Sequence, residues 1–186
     1  MSTLNPNGFL QQESDYTQLL FYKKTVILYD LTFFFKERYL QKSDRTQDQM
    51  EQAARSGKQN IAEGMVDGMT SVEMMLKLLN VARGSLRELK EDYEDYLRVH
   101  KLPIWDKTHP RYDKMVRYCY SHHETSNYSK FFERWSEEEL CNTAITLCHQ
   151  ADRGLIIYMK KVENSFLEQG GIREKMSNAR RNTRGF

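Results

Sequence analysis

The chain has 186 residues, 39% of them hydrophobic, 29% charged and only 3 of them prolines. That balance belongs to one folded, mostly helical domain and leaves little room for a second. A formal charge of +2 excludes bulk electrostatics as the reason for binding a polyanion or a membrane, so the placement of charge matters more than its total.

Residues 1–15 are polar, with Pro6 and Gly8, and read as a loose arm. They lack a basic stretch followed by an apolar one, so no secretory leader is expected. The first helix is expected from Tyr16 to Gln41. Tyr22, Val26, Tyr29 and Phe33 step by four, three and four, while Leu20, Ile27, Leu31 and Phe34 widen the apolar face. Its most apolar part, Thr25–Phe35, contains Asp30 and is far short of a membrane span.

The second helix is expected from Thr46, where Thr46 and Gln49 have capping-box spacing, to Gly64–Gly68. Its central run, QMEQAARSGKQNIAEG, places Met50, Ala54, Gly57 and Ile61 on one face at steps of four, three and four. A glycine inside a helix costs about 1 kcal/mol relative to alanine, and close approach of another backbone is a reason to carry it. Ala53, Ala54, Gly57, Asn60, Ile61 and Gly64 are therefore candidate packing or assembly positions.

A third helix is expected from a Thr70–Glu73 capping box. Met75, Leu79, Ala82, Leu86, Leu89, Tyr93 and Tyr96 keep a heptad rhythm, the pattern of helices packed at shallow angles. Gly84, Leu86 and Leu89 join the candidate packing set. The opposite face carries Glu73/Lys77, Arg87/Glu91 and Glu94/Arg98 at i,i+4 spacing and reads as solvated. Lys101–Arg111 holds Pro103 and Pro110 and breaks the helix. Short helices are expected at Arg111–Ser121 and Tyr128–Trp135, then a long one capped by Ser136 and Glu139 and reaching Glu168. Its seam is Leu140, Ala144, Leu147, Ala151, Leu155, Tyr158, Val162 and Phe166. Gly170-Gly171 stops it, and Ile172–Arg181 suits a short terminal helix. The expected fold is all-α: an up-down four-helix bundle over 16–169, with a helical insert at 101–135 and a basic segment at 170–186.

AARSGKQNIAEG, the short polar turn and ARGSLREL together resemble the 23S rRNA intervening-sequence four-helix-bundle proteins. That family includes the accessory variability proteins of diversity-generating retroelements. The resemblance covers residues 20–100 and, more weakly, the last long helix; GGIREKMSNARR resembles the extra C-terminal segment of the suffix-domain subgroup. The resemblance implies a non-enzymatic bundle assembling as a homopentamer, with nucleic acid and a protein partner such as a reverse transcriptase for the retroelement branch.

Candidate contacts to nucleic acid or a partner are Arg83, Arg87 and Lys90, a basic ridge at i, i+4 and i+7, and Arg173, Lys175, Arg180, Arg181 and Arg184 in the tail. Residues 44–100 carry eight basic and eleven acidic side chains, so the bundle itself is not a basic slab. The tail nets +4, and five copies in a ring would present about +20, enough for salt-dependent attraction to phosphate. Arg117 with His122 or His123 matches the Arg-x4-6-His pattern of helical-bundle ribonucleases and supplies an enzymatic alternative. A purely structural interaction module is the third reading. No cofactor is expected: no glycine-rich phosphate loop follows a strand, and no His has a Glu three residues before it. Asp106/His109 and His122-His123-Glu124 supply no pre-organised metal geometry. The three cysteines, Cys119, Cys141 and Cys148, include no pair spaced for a disulfide, which fits a reducing cytoplasm.

Overall fold

The computed structural model describes residues 15–41, 45–169 and Arg181. The described residues form six α-helices and no strand, so the protein is all-α. A 3-10 turn, Tyr16–Gln18, precedes α1 (Leu20–Tyr39); α2 is Arg45–Asp67, α3 Val72–Val99, α4 Tyr112–Ser121, α5 Thr125–Phe132 and α6 Glu137–Gln169.

The first helix starts later than its periodicity predicts. The Asp15 carboxylate accepts from the Thr17 amide at 3.0 Å, and Leu19 is extended, so Tyr16–Gln18 closes as a separate turn. The buried seam of α1 is also rotated by about one residue. Phe21, Thr25, Leu28, Thr32 and Phe35 line it, whereas Phe33 is exposed. The reason is that polar side chains in the core find hydrogen-bond partners there, one within the helix and one across it. Thr25 Oγ1 donates to Tyr22 O at 2.7 Å, and Thr32 Oγ1 accepts from Tyr93 Oη at 2.9 Å. A threonine bonded in this way occupies the place that an apolar-count rule reserves for hydrocarbon.

Helix α2 buries Met50, Ala53, Ala54, Gly57, Ile61 and Gly64. A Cβ on Gly57 would stand 3.2 Å from Leu86 Cδ2, and one on Gly64 3.2 Å from Leu78 Cβ and 3.3 Å from Met75 O. The small face therefore meets α3, antiparallel, within the chain itself. The seven heptad positions of α3 from Met75 to Tyr96 are all buried. The helix is capped by Ser71, whose Oγ accepts from Met74 N at 3.2 Å, instead of by Thr70, whose hydroxyl donates to Asp67 O. Its outer ion pairs also differ from the expected ones. Lys90 takes both carboxylate oxygens of Glu94 at 3.1 Å, and Arg98 meets Asp95 at 2.8 Å.

Helix α6 opens with the expected box: Ser136 N donates to Glu139 Oε2 at 3.0 Å, and Glu139 N to Ser136 Oγ at 3.3 Å. It crosses α3 antiparallel, with Arg83–Asp152 at one level and Tyr96–Glu137 at another. It crosses α1 with Phe21 against Gly154 and Tyr158. Helices α1 and α2 meet through Lys36–Glu51 at 2.6 Å and Lys58 over the Tyr29 ring. Across the centre, Phe35 makes edge contacts with Tyr93 and Tyr96. The seam of α6 outruns this core: Leu140 to Leu155 are buried, Tyr158 and Val162 half-buried, Phe166 44% and Leu167 80% exposed. Among the described residues no helix is long and apolar enough to cross a membrane.

The glycines predict opposite signs for one substitution. Gly84 has nothing within 4 Å of an added Cβ, whereas at Gly154 the Cβ would lie 2.9 Å from Phe21 Cβ. Gly84→Ala raises unfolding free energy by about 0.5–1 kcal/mol through helix propensity. Gly154→Ala lowers it by about 1 kcal/mol, because overpacking exceeds that gain. Urea denaturation of the two variants beside the parent checks both signs.

Candidate functional site

Between α3 and α6 the chain makes an excursion that the long helices anchor. His100 ends α3, and Lys101 takes a left-handed φ of 57°, which turns the chain back. Trp105 is then buried: its amide donates to Asn142 Oδ1 at 2.7 Å, and its indole Nε1 to Glu138 Oε1 at 2.6 Å. Asn142 also donates to Pro103 O at 3.1 Å, so one buried amide of α6 holds this segment at two points.

The other end of the excursion is held by α1. Lys24 is buried, and its ammonium donates to Cys119 O and to His122 O, carbonyls at the end of α4. A cation at a helix C-terminus meets its partial negative charge. Burial nevertheless pulls the Lys24 pKa down to about 8. Tyr128 of α5 donates to the same His122 carbonyl at 3.0 Å, and Thr125 to Asp30 of α1 at 2.7 Å.

Under these anchors lies a cleft of about 330 Å³. Its walls are Trp105, Met115, Tyr118, Phe131 and Trp135, and Arg111, Lys114, Glu139 and Thr143 supply its polar groups. Phe131 and Trp135 stack at 5.0 Å, and Trp105 stacks on His109 at 4.2 Å. Arg111 reaches Glu139 at 2.7 Å. Thr143 Oγ1 is spent on Glu139 O, so the cleft offers flat apolar faces and cations and no paired nucleophile and base. Its geometry suits binding.

The sequence-derived positions lie elsewhere. Arg83 is paired with Asp152 at 2.6 Å and Lys90 with Glu94, while Arg87 is exposed and makes no ion pair among the described residues. These three border a small cavity of about 180 Å³ that also holds Asp152 and Glu91, so the ridge is largely neutralised. Of the tail set, Arg181 is exposed; Arg173, Lys175, Arg180 and Arg184 lie outside the described residues, as does most of the expected Ile172–Arg181 helix. Ala53, Ala54, Gly57, Ile61, Gly64, Leu86 and Leu89 are buried inside the subunit. Asn60 is half-buried and donates to Ser56, and Gly84 faces open space.

Arg117 is exposed, and its Nε donates to Asp113 O of its own helix. His122 stacks on Tyr118 at 3.9 Å, with Nδ1 3.0 Å from Tyr118 O and from Ser121 Oγ. His123 has a buried Nδ1 without a hydrogen-bond partner among the described residues, and burial, then Lys24 and Lys23, hold its pKa down. Among the described residues no group of three or more His, Cys, Asp or Glu side chains is placed to hold a metal ion. The cysteines are free and buried. Burial raises the thiol pKa at all three, at Cys119 to about 11, which leaves them protonated and unreactive.

The chain matches no protein-family model, no characterised protein and no solved structure.

A second, polar groove of about 660 Å³ runs between α2 and α3, past the Ser56–Ser85 hydrogen bond. Asp92 lines it, and burial, then Glu88, Asp95 and Glu91, raises its pKa from 3.8 to about 6. A raised carboxylate pKa stabilises the fold below the unfolded value, and that contribution disappears as pH climbs through the folded one. Asp92→Asn is therefore neutral near pH 3.8 and becomes stabilising as pH rises to about 6, with a plateau above. Thermal unfolding of parent and variant across that window checks the shape.

Proposed function

We propose that the protein is a non-catalytic, self-assembling helical bundle that contacts nucleic acid or a nucleic-acid-processing partner in the cytoplasm. In this reading α1, α2, α3 and α6 form an up-down four-helix bundle, α4 and α5 belong to the 101–135 insert, and 170–186 is a basic suffix. Copies assemble as the homopentamer implied by the resemblance to the 23S rRNA intervening-sequence proteins. A reverse transcriptase is the partner implied for the retroelement branch.

The observation that carries assembly is the overhang of α6. At 1.5 Å per residue its 33 residues extend about 50 Å, against about 30 Å for the 20 of α1. The three-and-four spacing of the seam continues to Phe166, one step past Val162, which still packs against the core; among the described residues Phe166 is largely uncovered, and Leu167 and Ile157 (61% exposed) add apolar surface. An apolar stripe that runs on past its own core leaves a helix face suited to packing against another helix. Uncovered apolar side chains in register with a buried seam favour a second copy over random surface hydrophobicity. The glycine face of α2 is already filled by α3, so it is not the surface left for that copy. Nucleic-acid contact then falls to Arg87 and to the suffix cations, which assembly multiplies. Support for a non-catalytic reading comes from Arg117 and His122, whose side chains are committed to their own helix and to Tyr118.

Light scattering at micromolar concentration gives a mass of about five times 22.2 kDa for the parent and a mass nearer the subunit for Phe166→Asp. A monomeric parent contradicts assembly. For nucleic acid, replacing Arg173, Lys175, Arg180, Arg181 and Arg184 with Gln reduces the salt dependence of single-strand binding. The slope falls by about 0.7 for each phosphate that the protein no longer neutralises, and an unchanged slope removes the suffix from the interface.

A further inference from the structure

We propose that the cleft between the insert and the start of α6 is a binding site for a nucleotide unit, a base with its phosphate. The unit is either free or part of a single strand, and only the strand-borne source rests on the nucleic-acid reading above.

The size is right. About 330 Å³ falls in the range of small-ligand pockets, roughly 300–1,000 Å³. The walls are right for a flat π-system. Tyr118, Phe131 and Trp135 present aromatic rings, and the Phe131–Trp135 stack, with only 10° between planes, is already set before any ligand arrives. Base stacking on such rings is sequence-tolerant, because every base has a face.

The charges narrow the ligand further. Both oxygens of Glu139 are engaged, since one receives Arg111 and the other the Ser136 amide. Lys114 is exposed and makes no ion pair among the described residues, so the wall carries an uncompensated positive charge. An aromatic amino acid would bring an ammonium group for which the cleft holds no free carboxylate. A neutral hydrocarbon would leave the Lys114 cation unused. A planar ring bearing an anion satisfies walls and rim together, and a nucleotide is that combination.

The site is also held in place before binding. Trp105 is bonded to Asn142 and Glu138, and Tyr118 Oη donates to Asn127 O at 2.8 Å. Lys24 pins the far end of α4. A ligand therefore meets rings that already have fixed partners, which lowers the entropic cost of binding.

The chain has only two tryptophans, Trp105 and Trp135, and both line this cleft. Intrinsic tryptophan emission of the full chain thus reports on the cleft alone. AMP, adenosine and a short oligodeoxyadenylate are titrated at low salt, with binding of the labelled strand followed in parallel by anisotropy. The expected result is saturable quenching by AMP, about 10-fold weaker half-saturation for adenosine, and disappearance of that difference in Lys114→Ala. Quenching by AMP without any strand binding supports a site for the free nucleotide and removes the nucleic-acid reading. Strand binding with silent tryptophans, and no response to AMP, overturns the cleft and leaves the nucleic-acid reading standing. Equal response to adenosine and AMP, unaffected by Lys114→Ala, overturns it as well.

Discussion

The close approach of α2 to α3 sets the position of every other helix. Gly57 and Gly64 leave spaces that Leu86, Leu78 and the Met75 carbonyl fill, each within about a methyl group of where a Cβ would stand. That proximity turns α3 so that its heptad seam faces inward along its whole length, from Met75 to Tyr96. Once α3 is so placed, Tyr93 meets Thr32 of α1, and Arg83 meets Asp152 of α6. A larger residue on α2 would push the whole seam outward, since a packed interior transmits such displacements.

The 101–135 segment is fastened to this frame by polar groups as well as by Cys119, Tyr128 and Phe132, which are buried in the common core. Lys24 and Asn142 each enter a buried place and saturate backbone atoms of the insert, one from α1 and one from α6. Buried polar groups are tolerated when bonded and costly when not, so each fixes a single arrangement more strictly than an apolar contact would. The aromatic rings between those two fasteners are thereby held at the surface. That is how a segment with little core of its own comes to present a shaped cleft.

Much of the architecture was legible in the residues. The α3 heptad, the Ser136–Glu139 box, the helix break at the two prolines and the small face of α2 all follow from local spacing, and local spacing is what a sequence displays. The rotation of the α1 seam was not legible, because Thr32 is buried against Tyr93, a partner whose nearness depends on the fold. The pairing of Arg83 was not legible for a related reason: Asp152 stands 69 residues from it in the chain, and only packing brings it within 2.6 Å. The cleft was not legible, since nothing local says that Trp105, six residues past the end of α3, folds in beside Phe131 and Trp135.

Whether the small face of α2 is docked on α3 inside each subunit is open to hydrogen exchange, amide by amide. The amides of Ala53–Gly64 should exchange as slowly as those of Leu79–Leu89, since a helix sealed by close packing opens only when the whole unit opens. Fast exchange across Ala53–Gly64, with Leu79–Leu89 still protected, would contradict that docking.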